Sequence, residues 1–384
     1  MRGWNTSTET CPCGQAWMRS DRASVSACSH TQDWGWISPT CNIRISRKPI
    51  CSPPASDSDS ASLSTDSPPS GDEVELSSAG SCSDSTILRS GYVALVGRPN
   101  AGKSTLFNTI LGQRLSIVTA KPQTTRQRVL GILTRHDSQI VFLDTPGLLE
   151  SSYRLHENLE RQIQRSTRDA DLIVLLLDAQ RLHDRSDLIH TFLDGLVTRR
   201  ASLVTVLNKV DAVEPDTLDE LIADAKETFS LADVLLLSAM KGTNVAHLLT
   251  SLGQRLPAGP ALYPPDMVAD QPERFFTAEL VREAAFERLE DELPYSIEVV
   301  IDEFREPEPG SSRKTYVHAT LYVERDSQKG IVIGRGGKRL RSIGSAARPK
   351  IEDLVEHPVY LELRVKVRPD WRSKERDLRE FGYV

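Results

Sequence analysis

Between residues 91 and 256, short apolar segments alternate with longer segments in which apolar residues recur at the helical period. Six of the apolar segments have the length of strands, and polar or turn-forming residues bound each of them. They are Tyr92–Val96, Val129–Leu133, Ile140–Leu143, Leu172–Leu177, Leu203–Leu207 and Val234–Leu237. The predicted helices are Ser104–Leu111, Glu157–Arg168, Asp187–Arg199, Asp216–Phe229 and Val245–Arg255. This alternation predicts an α/β doubly wound sheet, with ligands at the carboxyl ends of its strands.

A second domain is predicted after a Pro-rich linker, Leu256–Pro272. The pattern there reads helix, strand, strand, helix, helix, strand, and it is long enough for a small α+β core of its own. The bounded elements are a helix at Arg274–Leu289 and strands at Ser296–Phe304, Thr315–Glu324 and Val359–Val367. We therefore divide the chain into residues 1–90, 91–256, 257–273 and 274–384.

Residues 1–90 differ in composition from the rest. Up to Ala55 there are six Lys or Arg against three Asp or Glu, with many Ser and Thr and no apolar run of the kind that a secretory signal has. Ser56–Ser90 is acidic and rich in Ser and Pro, as disordered spacers are. All six cysteines lie in the first 82 residues. This composition predicts an organellar transit peptide followed by a spacer, ahead of a folded body that needs no disulfide and no thiolate metal site.

Bulk composition limits the other classes. The net charge is −6, which argues only weakly against nucleic acid because a chain average hides local patches. No apolar run approaches the roughly 20 residues that a membrane span requires. We therefore expect no transmembrane segment.

The segment after the first predicted strand carries a phosphate-binding motif. Residues 97–104 match G-x-x-x-x-G-K-[ST], and they lie between a strand and a helix as the motif requires. Glycines allow backbone N–H groups to approach phosphates, Lys103 reaches the β- and γ-phosphates, and the Ser104 hydroxyl ligates Mg²⁺. The expected nucleotide-binding residues here are Gly97, Arg98, Pro99, Asn100, Ala101, Gly102, Lys103, Ser104 and Thr105.

Two further segments complete the predicted phosphate end of the site. The third strand ends at Asp144-Thr145-Pro146-Gly147, where a carboxylate can hold the magnesium shell and the Gly147 N–H can meet a γ-phosphate. Gln123-Thr124-Thr125-Arg126 forms a polar loop before the second strand. A hydroxyl there could complete the magnesium octahedron when GTP is bound, and we favour Thr125 over Thr124. The predicted metal ligands are Ser104, Thr125 and Asp144; an ordinary turn is the alternative for each segment.

Two segments after later strands predict the choice of base. In Asn208-Lys209-Val210-Asp211, a carboxylate can accept from guanine N1–H and from its 2-amino group, which adenine does not offer. Backbone N–H groups at Ser238-Ala239 could donate to guanine O6. Each segment alone is a common turn sequence, but four motifs in this order, each just after a strand, predict a GTP site.

Catalysis must work without a glutamine, because the residue after Gly147 is Leu148, which cannot position a water. The Asn100 carbonyl oxygen could ligate a monovalent cation such as K⁺, or the side chain could simply brace its own loop. We expect slow intrinsic turnover that a bound partner accelerates. The candidate catalytic residues are Asn100, Lys103, Thr125 and Gly147.

The second domain contains a G-x-x-G loop between two predicted helices. Ser327–Ile351 has seven Lys or Arg and no acid. In KH domains such a loop clamps about four nucleotides of single-stranded RNA. The expected RNA-binding residues are Gly334, Arg335, Gly336, Gly337, Lys338 and Arg339; a basic face for docking protein or lipid headgroups is the alternative.

From Gly91 to Val384 the chain resembles the Era family, in which one G domain precedes a type II KH domain. The resemblance rests on GRPNAGKST (97–105), KPQTTRQR (121–128), DTPG (144–147), NKVD (208–211), ELPYSIEV (292–299), VIGRGGKRLRSIG (332–344), LRVKVRPDWR (363–372) and LREFGYV (378–384). It implies a GTPase that uses GTP, GDP and Mg²⁺, binds the 3′ end of small-subunit ribosomal RNA within a pre-ribosomal particle, and acts as a monomer. It also implies peripheral membrane contact, for which the sequence offers no specific residue.

The leader departs from the bacterial pattern of that family and predicts a chloroplast form, with the mitochondrion as the alternative. Neighbouring families fit less well. GTPases with two G domains would need a second P-loop, and tRNA-modifying relatives would need a cysteine motif that residues 83–384 lack. A metabolic P-loop kinase is disfavoured by the guanine-reading pair. The remaining alternative is a nucleotide-gated module that docks to protein or lipid.

Overall fold

A computed structural model describes residues 88–119, 121–148, 154–196, 202–308, 311 and 313–383. The predicted transit peptide and spacer therefore lie outside the described residues up to position 87, as does the helical stretch predicted at 197–199. Within the described part of the chain, two sheets have separate apolar cores, one for each predicted domain. No described helix has the length and apolar character that crossing a bilayer would require.

The first sheet has six strands in the order β2-β3-β1-β4-β5-β6. They are β1 (Arg89–Gly97), β2 (Val129–Thr134), β3 (Ser138–Asp144), β4 (Leu172–Asp178), β5 (Ser202–Asn208) and β6 (Leu235–Leu237). Only β2 runs antiparallel to its neighbour, because a short turn joins it directly to β3. Every residue of β3 and β4 is buried, as expected for strands covered on both faces. The strand order reverses at β1, so the carboxyl end of β1 lies at the switch point where ligands bind.

Helices cover both faces of this sheet. They are α1 (Lys103–Leu111), α2 (Arg154–Asp169), α3 (Ser186–Leu196), α4 (Leu218–Phe229) and α5 (Val245–Arg255). The helix predicted from Asp216 begins two residues later, because Pro215–Thr217 forms a separate 3₁₀ turn. The predicted α/β doubly wound order is otherwise the order of the structure.

The second domain packs helices on one face of a three-stranded sheet with the order β7-β8-β9. Its elements are α6 (Glu273–Arg288), α7 (Leu293–Ser296), β7 (Glu298–Arg305), β8 (Thr315–Val323), α8 (Asp326–Ile333), α9 (Lys338–Val355), β9 (Val359–Val367) and α10 (Glu375–Glu380). β8 runs antiparallel to β7 and parallel to β9. The alternate residues of β8 from Thr315 to Val323 are buried under the helices. The sequence did not predict α7 or α10, which are only four and six residues long.

The segment predicted as a linker is hydrogen-bonded to the first domain. Ile132 N–H donates to the Val268 carbonyl oxygen at 2.7 Å, beside an isolated bridge between Gly131 and Ala269. The Gln139 side chain donates to the Tyr263 carbonyl oxygen at 2.8 Å. At the other end, Phe276 of α6 is buried in the core of the first domain. The Pro-rich segment is therefore an added layer on the β2 edge rather than a loose tether.

Candidate functional site

The loop between β1 and α1 comes very close to neighbouring atoms at two glycines. A Cβ atom on Gly97 would stand 2.5 Å from the carbonyl oxygen of Leu176. Gly102 has a φ of +96°, and its Cβ atom would stand 2.2 Å from Nδ2 of Asn208. Both positions therefore require glycine. A tight loop of this kind ahead of a helix is an anion-binding arrangement, because backbone N–H groups converge there.

Lys103, the first residue of α1, carries a buried ammonium group inside this loop. Its Nζ donates to the carbonyl oxygens of Gly97 at 3.1 Å and Arg98 at 3.0 Å. Burial lowers the pKa of Lys103 to about 8, and the Asp144 carboxylate partly opposes that shift. An incoming phosphate would supply the negative charge that favours the protonated form.

Three hydroxyl groups surround the carboxyl group of Asp144 at the end of β3. Ser104 and Ser116 each donate to Asp144 Oδ2 at 2.8 Å, and Thr125 Oγ1 lies 2.8 Å from Ser104 Oγ. Burial raises the pKa of Asp144, although Lys103 and the hydroxyl donors oppose that rise. Its second oxygen, Oδ1, is buried and accepts no hydrogen bond from the residues that the structure describes.

These groups fit a magnesium ion. Mg²⁺ prefers oxygen ligands and is usually bound through one or two carboxylates together with phosphates. The structure brings the predicted ligands Ser104, Thr125 and Asp144 together, and the buried carboxyl group has an oxygen that a cation would satisfy. Ser116 is an addition that no motif signals, since it lies in an irregular loop.

The segment after β3 packs directly on the phosphate loop. Thr145 Oγ1 donates to the Leu95 carbonyl oxygen at 2.7 Å, and Leu148 N–H donates to the Gly97 carbonyl oxygen at 3.0 Å. A Cβ atom on Gly147 would stand 2.7 Å from Pro99 N, so this contact too requires glycine. Leu148 is buried against the apolar cluster below the sheet. An apolar side chain held in a core cannot orient a water, which agrees with the sequence argument.

A cleft of about 340 Å³ opens above the loop. Its walls bring together the phosphate loop, the polar loop around Thr125, the start of the Gly147 segment and Lys209. From the predicted set they include Pro99, Asn100, Gly102, Lys103, Ser104, Thr105, Thr125, Gly147 and Lys209. Gln180 and Arg181, which follow β4, also line it and were not predicted, because no motif marks that loop.

Other predicted residues support the loop from below. Ala101 is buried, and the Arg98 side chain donates to the Arg181 carbonyl oxygen. Asn100 takes a φ of +64°, a conformation that asparagine adopts more readily than most residues. Pro146 lies between Thr145, which donates to Leu95, and Gly147, which packs against Pro99.

Asn208 joins the guanine end of the site to the phosphate end. Its Nδ2 donates to the Ala101 carbonyl oxygen at 2.8 Å, and its Oδ1 accepts from Ala239 N–H at 2.9 Å. The side chain is 1% exposed. Asn208 therefore braces three strand ends.

Asp211 and Lys209 are held by the neighbouring loops. Ser238 Oγ donates to Asp211 Oδ1 at 2.6 Å, and Lys209 Nζ donates to the buried Asp178 carboxylate at 2.7 Å. Val210 begins a 3₁₀ turn that carries Asp211. Both side chains predicted to contact the base are thus positioned by contacts within the first domain, as a rigid specificity pocket requires.

The polar loop that holds Thr125 also enters the second domain. Arg126 is buried, and its guanidinium group donates to the carbonyl oxygens of Ile297 at 2.6 Å and Tyr295 at 2.9 Å. It forms an ion pair with the buried Glu298 carboxylate at 3.1 Å. Burial raises the pKa of Glu298 despite that cation, while the hydroxyl of Tyr383 donates to the same carboxylate at 2.5 Å. Contacts across 171 positions gave no local signal in the sequence.

A second contact between the domains lies on α2, the helix that follows the Gly147 segment. Leu155 and Leu159 of α2 pack in one apolar cluster with Trp371, Phe381 and Tyr383 from the end of the chain. The loop around Thr125 and the helix that follows the Gly147 segment therefore both contact the second domain.

The predicted RNA loop joins α8 to α9. Gly334, Gly336 and Gly337 all have positive φ, at +70°, +61° and +75°. Cβ atoms on Gly336 and Gly337 would meet nothing within 4 Å, so these two glycines present open backbone. Arg335, Lys338 and Arg339 are exposed around it. A ligand with phosphate groups can therefore approach the main chain closely.

A groove of about 380 Å³ runs beside that loop between α9 and β9. Its lining includes Gly337, the cations Lys314, Arg341 and Arg348, and Tyr360. The prediction stopped at Arg339, because only the G-x-x-G loop is a recognisable motif. The rest of the groove is formed by two elements that meet only in the fold.

Comparison with known families agrees with this geometry. Residues 92–209 match the family described as 50S ribosome-binding GTPase, and residues 292–372 match the KH domain family. GTPase Era of Geobacter metallireducens is 43% identical over 297 residues, which cover 77% of this chain and 98% of that protein. The chain belongs to the Era GTPase family.

Other Era proteins are similar over the same length. GTPase Era of Staphylococcus haemolyticus is 39% identical over 78% of this chain and 98% of its own. Two crystal structures each share 37% identity, cover 77% of this chain and span 99% of the solved one. One is Era in complex with MgGDPNP and nucleotides 1506–1542 of 16S ribosomal RNA, with a TM-score of 0.73. The other is a tyrosine-to-alanine variant of Aquifex aeolicus Era bound to GDP and AlF4⁻, with a TM-score of 0.72. The predicted fold and GTPase activity are confirmed.

Proposed function

We propose that this Era-family GTPase is an RNA-binding switch that binds the 3′ end of small-subunit ribosomal RNA and assists small-subunit assembly in an organelle. The observation that carries the proposal is the open glycine loop at the mouth of a basic groove, on a domain joined to a GTP cleft. The similar Era structure that holds 16S ribosomal RNA supports the identity of the partner.

In this proposal GTP and GDP bind in the cleft above the phosphate loop. Lys103 neutralises phosphate charge, and Gly102 lets the loop close around it. Ser104 and Asp144 hold Mg²⁺, and Thr125 joins them when GTP is bound. The ion neutralises charge that develops on the phosphate oxygens during hydrolysis. Leu148 excludes water from the core side of the site, so the attacking water must be oriented by other groups.

RNA binding uses the loop for phosphates and the groove for bases. β9 is an edge strand, so the backbone groups on its outer side have no strand partner among the described residues. Lys314, Arg341 and Arg348 supply positive charge along the groove. Such an arrangement suits single-stranded RNA, whose bases can turn toward a groove while a Gly-rich loop holds the backbone.

A Gly336→Asp variant tests the RNA assignment. Aspartate tolerates positive φ better than most residues, and its Cβ atom meets no neighbour, so the fold should persist while the carboxylate repels phosphate. Titration of a single-stranded ribosomal 3′-end RNA at one fixed salt concentration should show binding by the unmodified protein and none by Gly336→Asp.

Gly112→Asp is the matched control, because Gly112 has a similar φ of +67° and an equally open Cβ position on the first domain. It should bind RNA normally. If Gly336→Asp binds as tightly as this control, the loop is not the RNA clamp. If partners co-purify equally well after RNase treatment, the protein or headgroup docking module becomes the better interpretation.

Nucleotide control is tested by comparing a non-hydrolysable GTP analogue with GDP. A typical coupling of about 1–3 kcal/mol would make the RNA affinity 5- to 150-fold higher in one state, and we expect the higher affinity with the analogue. Identical RNA affinities in both states would mean two independent modules on one chain.

The organelle is the part of the proposal that rests on composition alone. The Ser-rich, weakly basic leader supports plastid import, with the mitochondrion as second choice. A reporter fused to residues 1–90 should enter plastids, and the chain from Gly91 onward should remain outside them. Import of the body without the leader would contradict this assignment.

The proposal also includes a monomer whose membrane contact is peripheral. Family resemblance is its support. Sedimentation equilibrium should give the mass of one chain. Co-sedimentation with anionic vesicles should fall as salt is raised, because peripheral electrostatic contacts are screened. Failure to bind vesicles at low salt would remove the membrane part of the proposal.

A further inference from the structure

The open face of the second sheet carries a stacked aromatic pair beside the groove. Tyr316 of β8 and Tyr360 of β9 are register partners, with ring centroids 5.9 Å apart and planes 14° apart. The side chain of Tyr360 is 57% exposed, one of few large apolar side chains so exposed among the described residues.

The inner ring of the pair is fixed from two sides. The Arg305 guanidinium group of β7 lies 5.7 Å from the Tyr316 ring centroid, and the Tyr316 hydroxyl donates to the Glu362 carboxylate at 2.9 Å. Because β8 lies between β7 and β9, Arg305, Tyr316 and Tyr360 form one stack across three strands. The outer ring, Tyr360, therefore rests on a supported surface and keeps one face toward solvent.

Tyr360 also lines the basic groove, together with Lys314 and Arg348. It therefore stands where the groove meets the open face of the sheet. A cross-strand aromatic pair stabilises a sheet wherever it occurs. That role alone does not require an exposed ring at the end of a groove lined by cations.

A supported aromatic ring next to positive charge is the arrangement that single-stranded nucleic acids use for stacking, because every base has a π face. The Gly-rich loop of a KH domain holds about four nucleotides. We propose that Tyr360 stacks on a base just beyond those four, so that the RNA site extends from the groove onto the Tyr316–Tyr360 stack. The inference rests on the proposed RNA-binding function. Stacking tolerates any base, so this position adds affinity with little sequence preference.

A length series of single-stranded RNA tests the extension. Oligonucleotides that grow by one nucleotide at either end are titrated against the unmodified protein, Tyr360→Phe and Tyr360→Ala at one salt concentration. For the unmodified protein and Tyr360→Phe, one added nucleotide should raise affinity on the order of 5- to 150-fold, the range expected for one stacked base. Tyr360→Ala should lose that gain, so that its affinity no longer rises with the added nucleotide.

An abasic nucleotide at the added position is the control for backbone contacts, and it should abolish the gain in the unmodified protein. A fluorescent base analogue at that position should be quenched by the unmodified protein and by Tyr360→Phe, but not by Tyr360→Ala. Unfolding midpoints of the unmodified protein and Tyr360→Phe should agree, and that of Tyr360→Ala should be only slightly lower, because it loses the cross-strand pair of an exposed ring on an edge strand.

The outcomes separate the two proposals. If the unmodified protein binds none of the RNAs, the RNA-binding function itself fails. If it binds them but Tyr360→Ala keeps the full gain, the stacking proposal is overturned. The stacking proposal is also overturned if Tyr360→Ala weakens short and long RNA equally, since the ring would then be part of the groove clamp or of the fold.

Discussion

The two ends of the nucleotide cleft are built in different ways. At the guanine end, Asn208 connects the phosphate loop to Ala239, and Ser238 holds Asp211. All of these contacts stay within the first domain. At the phosphate end, the Thr125 hydroxyl lies beside that of Ser104, a predicted metal ligand, while the next residue, Arg126, is buried against the second domain. The contacts at the guanine end join residues of the first domain, whereas those at the phosphate end also reach the second domain.

This difference separates recognition from signalling. A base-reading pocket must be rigid, because specificity comes from a buried acceptor that the wrong base leaves unpaired. The phosphate end must differ between GTP and GDP, since the base is the same in both. We expect the contacts to the second domain at this end to carry that difference to the groove proposed for RNA. The contacts of α2 with Trp371 and Phe381 provide a second connection of the same kind.

Removal of the Arg126 side chain should have the largest effect. Arg126→Met leaves the Glu298 carboxylate buried without its cation, and breaking a buried pair from one side costs about 3–5 kcal/mol. We expect a lower unfolding midpoint in urea and weaker dependence of RNA affinity on nucleotide, with the preference for GTP over XTP unchanged.

Glu298→Gln is the companion variant for a double-mutant cycle. The double variant Arg126→Met with Glu298→Gln should recover part of the lost stability, because no uncompensated carboxylate remains. If Arg126→Met alone changes neither the stability nor the dependence of RNA affinity on nucleotide, the phosphate end is not coupled to the second domain through Arg126.

Asp211→Asn should have the next largest effect, confined to the guanine end. An amide cannot accept from guanine N1–H, so GTP affinity should fall by at least the roughly 1–3 kcal/mol of an unsatisfied buried polar group, and XTP should gain. Binding of both nucleotides is measured with each protein. The free energy of unfolding serves as the control and should be unchanged, because Asp211 takes no part in the contacts of Arg126. An unchanged preference for GTP would remove Asp211 from base recognition.

A pH series sharpens the comparison, because Lys103 belongs only to the phosphate end. Its pKa in the free protein is about 8, and phosphate binding should raise it toward the ordinary 10.5. The charge contribution to GTP affinity is therefore fully present below pH 8 and is lost as the pH rises through that range. Affinity should fall by up to about tenfold per pH unit above about pH 8.

Proton uptake on GTP binding, measured by calorimetry in buffers of different ionisation enthalpy, reports the same event directly. Uptake should be small near pH 7 and approach one proton near pH 9. Asp211→Asn should show the same pH slope at lower affinity. A flat profile would mean that Lys103 stays protonated in the free protein.

The smallest expected effect concerns the monovalent cation. If Asn100 ligates K⁺, GTP turnover should rise when K⁺ replaces Na⁺ at constant ionic strength, and Asn100→Ala should remove that difference while GTP binding is largely kept. Steady-state phosphate release measures both. Equal rates in the two salts would leave Asn100, with its φ of +64°, as a brace of its own loop.

The sequence predicts those features whose signals lie within a few neighbouring residues. The strand ends with their motifs are local, so Lys103, Asp144 and Asp211 could be identified with their elements. The choice of Thr125 over Thr124 had no local basis beyond residue type, and the structure places the Thr125 hydroxyl beside Ser104.

Long-range packing escaped prediction for a physical reason. Arginine is usually exposed, so a buried Arg126 that satisfies backbone carbonyl groups on a distant segment has no period or motif. The prolines of segment 256–272 predict a linker, yet Met267 and Val268 are buried on the β2 edge. Packing of this kind depends on which edge of the sheet is uncovered, and that is known only once the order of all the strands is known.

The anchoring of α6 has a geometric consequence. Phe276, near its beginning, belongs to the core of the first domain, while Leu280 to Leu289 contribute to the core of the second. The helix has 16 residues and is therefore about 24 Å long. Near the far end of the helix, Lys121 of the first domain donates to the carbonyl oxygens of Phe286, at 2.7 Å, and of Leu289, so the first domain holds α6 at both ends. Because one helix contributes to both cores, a shift of α6 against the first domain would move the core of the second domain with it.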